Sequence, residues 1–170
     1  MPDRAGITIS ILRHLSTSDL EEIGEISEDA FIRFGHYRDF ISSLAADEEG
    51  VITSGMKDNG KLVGFILTGF LPANIDNKDG IIADILAIAL IPDYRYMGLG
   101  KELMEWALDL VDSIRDYKDI FYVRLTVAPD NVPAVSLFER FGFEFDISTI
   151  GSYPTGVDAV YMKKYFDSGE

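Results

Sequence analysis

The chain has 170 residues, 47% hydrophobic and 12% aromatic, enough for one domain with an ordinary packed core and too apolar for a disordered chain. Its 29 acidic residues outnumber 15 basic ones, and a net charge of −14 opposes nonspecific nucleic-acid binding while favouring cationic partners. With no cysteine and only His14 and His36, disulfides, thiolate chemistry, zinc sites and a histidine-dependent triad all lack support, so no metal is expected.

In chain order, Thr8 to Leu15 reads as a first strand. Ser18 and Glu21 have capping-box spacing ahead of Leu20, Ile23, Ile26, Ala30 and Phe31, which predicts a helix start. A second helical stretch, RDFISSLAADEE, follows the turn-like FGHY. Val51 to Met56 and Leu62 to Phe70 are predicted strands joined at Asn59-Gly60, a strong hairpin signal. Residues 71–80, LPANIDNKDG, read as a loop on their turn-forming composition. Ile81 to Ile91 is apolar almost throughout, as in a central strand covered on both faces. Leu103, Met104, Ala107, Leu108, Val111 and Ile114 recur at helical spacing, predicting a helix over roughly 98–116. The strand FYVRLTV follows, then a short helix from Asn131 to Arg140 ended near Gly142, then strands EFDISTI and GVDAVYMKKY around a SYPTG turn. No repeat or internal linker interrupts this α+β order. No apolar run approaches the ~20 residues of a membrane span, and the N-terminus lacks a signal peptide's apolar stretch. A cytoplasmic location with no membrane partner is therefore expected.

The informative stretch is DYRYMGLGKELM, where Gly98 and Gly100 stand between the central strand and the following helix. A strand, a glycine turn and a helix N-terminus together make an anion site, because the first N–H groups of the helix and its dipole point at the same place. Without Cβ atoms, the two glycines let a bulky oxyanion approach the backbone. Arg95 and Lys101 add local positive charge to a chain that would otherwise repel an anion. A dinucleotide-binding GxGxxG fails because Leu103 takes the third glycine's place. A phosphate-binding GxxxxGK[ST] fails because Arg95 and Glu102 stand at its first and last positions.

R-x-x-G-x-G opening a helix resembles the acyl-CoA pyrophosphate loop of the GNAT superfamily of N-acetyltransferases. The stretch NVPAVSLFERFGF is similar to the same superfamily's second signature, through Asn131, Ala134, Leu137, Phe138, Gly142 and Phe143. The resemblance covers nearly the whole chain. It implies a mostly antiparallel twisted sheet of about seven strands flanked by four helices, with central strands splayed at the acyl-CoA site. It also implies that the backbone of Arg95, Tyr96, Met97, Gly98, Leu99, Gly100 and Lys101 holds the pyrophosphate of acetyl-CoA. Ile88, Ala89 and Leu90 would pair with pantetheine, and Asn131 and Phe138 would line the cofactor's other side. The tail FGFEFDISTIGSYPTGVDAVYMKK is similar to enzymes that acetylate protein N-termini, the ribosomal-protein alanine acetyltransferases included. Tyr153, Pro154, Asp158, Ala159 and Met162 carry that match. By the same resemblance Phe31 or Tyr37, on the first helix-loop, and Tyr153 would wall the acceptor groove.

Two positions depart from the family pattern. Where many members have a tyrosine to protonate the leaving thiolate, this chain has Phe138, which has no proton to give. Where N-terminal acetyltransferases often place a base five residues before the asparagine, it has Thr126. Asp84 remains as the candidate general base and Tyr153 as an alternative proton donor. The expected activity is direct acetyl transfer from acetyl-CoA to a primary amine, with a protein N-terminal α-amine first in order. Acetylation of a polyamine or amino compound and a noncatalytic acyl-CoA-binding module are the alternatives. The subunit state, monomer or homodimer, stays open.

Overall fold

A seven-stranded sheet in the order β1-β2-β3-β4-β5-β7-β6 organises the computed structural model, which describes residues 4–47 and 49–167. The strands are β1 (Ile7–Ile11), β2 (Val51–Asp58), β3 (Lys61–Ile75), β4 (Lys78–Leu90), β5 (Ile120–Val127), β6 (Glu144–Ser152) and β7 (Asp158–Tyr165). The helices are α1 (Thr17–Ala30), α2 (Arg38–Ala45), α3 (Leu99–Arg115) and α4 (Val132–Arg140). Only the β4–β5 pair is parallel. The expected α+β architecture is the observed one.

Two cores hold the sheet, one on each face. Leu103, Met104, Ala107 and Val111 of α3 pack with Val63, Ile66, Leu125 and Phe138. Ile23 and Ile26 of α1 and Ile41 of α2 pack with Phe65 and Leu67 on the other side. From Phe65 onward alternation along β3 explains the division, since successive side chains of a strand point to opposite faces, while Val63 joins the face of Ile66 because the register shift opposite Met56 and Lys57 makes it an extra residue.

Several boundaries differ from the sequence reading. Strand β1 stops at Ile11, and His14 beyond it has a left-handed φ of 52°. The capping box of α1 is Ser16–Asp19, two residues earlier than Ser18–Glu21. The Ser16 hydroxyl accepts from the Asp19 N–H at 3.1 Å, and Asp19 Oδ2 accepts from the Ser16 N–H at 2.8 Å. Asp19 is short enough to reach back, and its carboxyl is held below its ordinary pKa chiefly by that backbone hydrogen bond. Helix α2 ends at Ala45, short of the expected extension through Glu49, and residue 48 of that extension lies outside the described residues.

The largest correction concerns residues 71–80, which are not a loop. They form the far end of a long β3–β4 hairpin, with Leu71 opposite Ile82 and Ile75 opposite Lys78. Asp76 and Asn77 alone make the turn, at φ 51° and 63°. A two-residue hairpin turn of this type needs positive φ at both positions, which Asn and Asp tolerate. Asn74 donates to Asp79 at 2.7 Å across the ladder. The Asn59-Gly60 turn is as expected, at φ 48° and 85°.

Where β3 meets the end of β4, the backbones are close. A Cβ added at Gly64 would lie 2.5 Å from Leu90 Cδ2 and 2.8 Å from the Ala89 carbonyl oxygen. The side chain can turn away, but the carbonyl cannot retreat without moving β4. Gly64→Ala should therefore destabilise the fold by about 1–3 kcal/mol, the usual magnitude of overpacking. Urea unfolding checks this, and an unchanged midpoint would show that the two strands part freely there.

Candidate active site

Parallel pairing between β4 and β5 runs from Ile81↔Ile120 to Ile85↔Leu125 and then stops. Strand β5 continues through Thr126 and Val127 on β7 alone. The β5-facing edge of Leu86 to Leu90 is thus left without a strand, and a V opens between the two chains. Just there, β4 carries a bulge: Thr68 faces Ile85 while Leu67 faces Ala87, so Leu86 is an extra residue. An extra residue reverses the side-chain alternation and sharpens the local twist. Accordingly Ala83 and Ile85 belong to the α3-side core, whereas Ala87 and Ala89 belong to the α1–α2 side.

The V is the floor of two connected hollows. The inner one, 160 Å³, lies between Ile85–Ile88 of β4 and Leu125–Val127 of β5, roofed by Phe31, Phe34, Tyr37 and Tyr153. The outer one, a cleft of 610 Å³, runs past Ile88, Ala89 and Leu90 toward Gly98 and Lys101, with α4 as its opposite wall. Phe31, Phe34, Ile88, Asn131, Ala134 and Phe138 border both.

At the outer end, Gly98 is the N-cap of α3 in the left-handed region, φ 80°, and it has no side chain to cap the helix. The N–H groups of the first turn therefore lack intrahelical acceptors and open toward the cleft. Tyr96, also left-handed at φ 60°, is 94% exposed. The Met97 carbonyl accepts from Arg4 Nη2, which ties this loop to the short 3-10 turn before β1. Arg95 borders the cleft, but its guanidinium is turned inward. It donates to the Leu90 carbonyl at 2.9 Å and pairs with Asp29 of α1 at 2.8 Å. Its expected role as a local free cation gives way to one as a brace between β4, the loop and α1. Lys101 Nζ lies 3.4 Å from Glu105. Leu99 contributes backbone only, its side chain being 1% exposed in the core.

The roof joins segments distant in sequence. Phe34, after α1, stacks on Tyr153 of the β6–β7 turn with ring centroids 4.5 Å apart. Thr155 donates to the Arg33 carbonyl at 2.8 Å, and Arg33 pairs with Asp130 beside Asn131. Tyr37 meets Phe31 edge-on at 6.1 Å. Burial, helped by neighbouring Tyr37, pushes the Tyr153 hydroxyl up to about 12, and burial also raises Tyr37. Both hydroxyls are protonated donors at neutral pH. Neither is a base.

Asp84, the expected general base, borders neither hollow. It is buried, and its Oδ2 accepts from Arg124 Nε of β5 at 2.8 Å. Burial pushes its carboxyl up while Arg124 pulls it down. Arg124 in turn lies 4.7 Å over the Tyr161 ring. The structure thus groups Phe31, Tyr37, Tyr153, Asn131 and Phe138 with Ile88 in one place and sets Asp84 aside. Phe34, Leu86 and Arg124 were missed. An aromatic in FGHY and a lone charge in FYVRLTV were the available signals. Among the described residues, no group of three or more His, Cys, Asp or Glu side chains could hold a metal, and no helix is long and apolar enough to cross a membrane.

Comparison with known proteins fits this geometry. An N-alpha-acetyltransferase of Sulfurisphaera tokodaii is 23% identical over 157 residues, covering 89% of this chain and 90% of that protein. A spermine/spermidine N(1)-acetyltransferase of Bacillus subtilis is 33% identical over 96 residues, covering 54% of this chain and 59% of that one. The crystal structure of the ribosomal-protein-S18-alanine N-acetyltransferase from Escherichia coli superposes with a TM-score of 0.72 at 26% identity, covering 96% of each chain. Arabidopsis thaliana NAA60 in complex with acetyl-CoA gives 0.76 at 18% identity, covering 95% of this chain and 99% of that one, and so shares the fold. The Acetyltransferase (GNAT) family model matches residues 12–143, and the chain belongs to that family, whose members are acetyl-CoA-dependent N-acetyltransferases.

Proposed function

We propose that this enzyme acetylates the α-amine of protein N-termini whose first residue is apolar. The observation that carries the reading is the inner hollow: of the residues that border it, none is acidic or basic, and four are roof aromatics. A polyamine holds several positive charges, and an apolar pocket without a carboxylate would desolvate them unpaired. An N-terminal residue brings one amine, neutral when it reacts, and one side chain for the aromatic wall. The coverage of the relatives supports this choice, since the N-alpha-acetyltransferase aligns over nearly the full chain and the spermine/spermidine enzyme over about half.

Acetyl-CoA supplies the acyl group as a thioester. The unpaired edge of Ile88, Ala89 and Leu90 is suited to pair with the pantetheine amides and to aim an N–H at the acyl carbonyl. The diphosphate fits the open turn from Gly98 to Lys101. Asn131 and Phe138 close the other side. Tyr153 and Tyr37 would orient the acceptor through their hydroxyls. At about 12, Tyr153 is a poor acid for a thiolate whose own pKa is ~8.5, so its part is orientation rather than protonation.

The lack of a dedicated acid and base is tolerable for this chemistry. A thiolate leaves without help, and an α-amine of pKa ~8 is partly neutral at pH 7, whereas a lysine of ~10.4 is almost wholly charged. Positioning then supplies much of the acceleration. Asp84 fits this account as the group that fixes Arg124 at the last paired residues before the V.

In a panel of amines assayed by thiol release, peptides with a free α-amine and an apolar first residue should react faster than α-blocked lysine peptides or spermidine. Tyr153→Phe should raise the peptide KM about threefold to tenfold, the effect of one uncharged hydrogen bond. Faster acetylation of spermidine would transfer the assignment to polyamines. For Asp84→Asn, kcat/KM should still rise with pH through the substrate amine's pKa of ~8, as in the wild type, with kcat changed less than about tenfold. Urea unfolding of the same variant should show a loss of up to about 3 kcal/mol for breaking a buried pair. A larger fall in kcat with loss of the rising limb would restore Asp84 as the base.

A further inference from the structure

One cation on the cofactor cleft remains without a partner. Arg140 ends α4, borders the outer cleft and makes no ion pair or hydrogen bond among the described residues. It is a positive charge on the rim of the cleft in a chain with 29 acidic and 15 basic residues. Arg4, Arg33, Arg38, Arg95, Arg115 and Arg124 all hold carboxylates. A cation at a helix C-terminus is favourable toward the dipole, but this does not require it to face the cleft.

Its position along α4 is informative. Pro133, Ser136, Leu137 and Arg140 make the stripe of α4 that borders the cleft. Leu137 stands against the glycine turn, its Cδ2 3.6 Å from where a Cβ of Gly100 would be. Arg140 lies three residues farther along, about 4.5 Å at the rise of an α-helix, and away from the Asn131 end. A diphosphate at the turn from Gly98 to Lys101 therefore has Arg140 beyond it on the outward side. In coenzyme A the next anionic group in that direction is the phosphate on the 3′-hydroxyl of the ribose, one sugar ring from the diphosphate.

We propose that Arg140 receives the ribose 3′-phosphate of the cofactor and makes this enzyme discriminate coenzyme A from its 3′-dephospho form. The inference rests on the acetyl-CoA reading of the cleft. Guanidinium groups suit phosphate because their planar fork donates two parallel hydrogen bonds. Lys101 is engaged with Glu105 of its own helix, which leaves Arg140 as the free charge on that rim.

Calorimetric titration of the full chain with coenzyme A and with 3′-dephospho-coenzyme A tests this. The wild type should prefer coenzyme A by about ten- to a hundredfold, the worth of a charge-assisted hydrogen bond. Arg140→Gln should lose that factor for coenzyme A and keep its affinity for the dephospho form, which also shows that the variant is folded. Arg140→Lys should fall between. Equal losses for both ligands, an undiminished preference in Arg140→Gln, or no preference in the wild type would each overturn the assignment. Failure of the wild type to bind either ligand would instead overturn the acetyl-CoA reading beneath it.

Discussion

The early end of pairing between β4 and β5 is the feature on which the site depends. Five ladder positions hold the strands together, from Ile81↔Ile120 to Ile85↔Leu125, and the backbone beyond them is free on one side. Unpaired backbone in a protein interior is costly unless something satisfies it. Here it faces a cleft rather than a core, so a ligand with amides of its own can complete the ladder. The Leu86 bulge makes the separation possible, because it changes which face of β4 each residue serves at the point where the strands part.

Around that V, the ends of several elements are tied together. Arg95 links the end of β4 to α1, and Arg4 links the glycine turn to the start of the chain. Phe34 on Tyr153, Thr155 on Arg33 and Arg33 on Asp130 join the α1–α2 turn, the β6–β7 turn and the start of α4. The two hollows are thereby walled by the same few contacts. The uncharged, aromatic lining of the inner hollow suits one neutral amine beside an apolar side chain, which is the basis of the acceptor proposed above.

Much of this was legible in the sequence where local chemistry decides structure. Asn59-Gly60 forced its hairpin, the apolar run from Ile81 announced a doubly covered strand, and the glycines before α3 marked an open helix end. The failures have physical causes. Residues 71–80 have a loop's composition, yet Asp76 and Asn77 absorb the whole turn and the polar side chains around them pair across a ladder. The face switch at Leu86 was invisible because nearly every neighbour is apolar, so no alternation existed to be broken. Asp84 looked like a lone carboxylate because its partner Arg124 is 40 residues away, on a strand whose adjacency only the sheet order reveals. Arg95 looked like an anion ligand because the carboxylate that holds its guanidinium is on α1.

The central claim is that the free edge of β4 and the open turn of α3 are one cofactor surface. Amide hydrogen exchange with and without acetyl-CoA tests it most directly, since it reads the backbone rather than any side chain. The account predicts slowed exchange in two segments together, Leu86 to Leu90 and Leu99 to Lys101, with the paired strands β1 and β2 unchanged. Binding of acetyl-CoA with no added protection in either segment would contradict it.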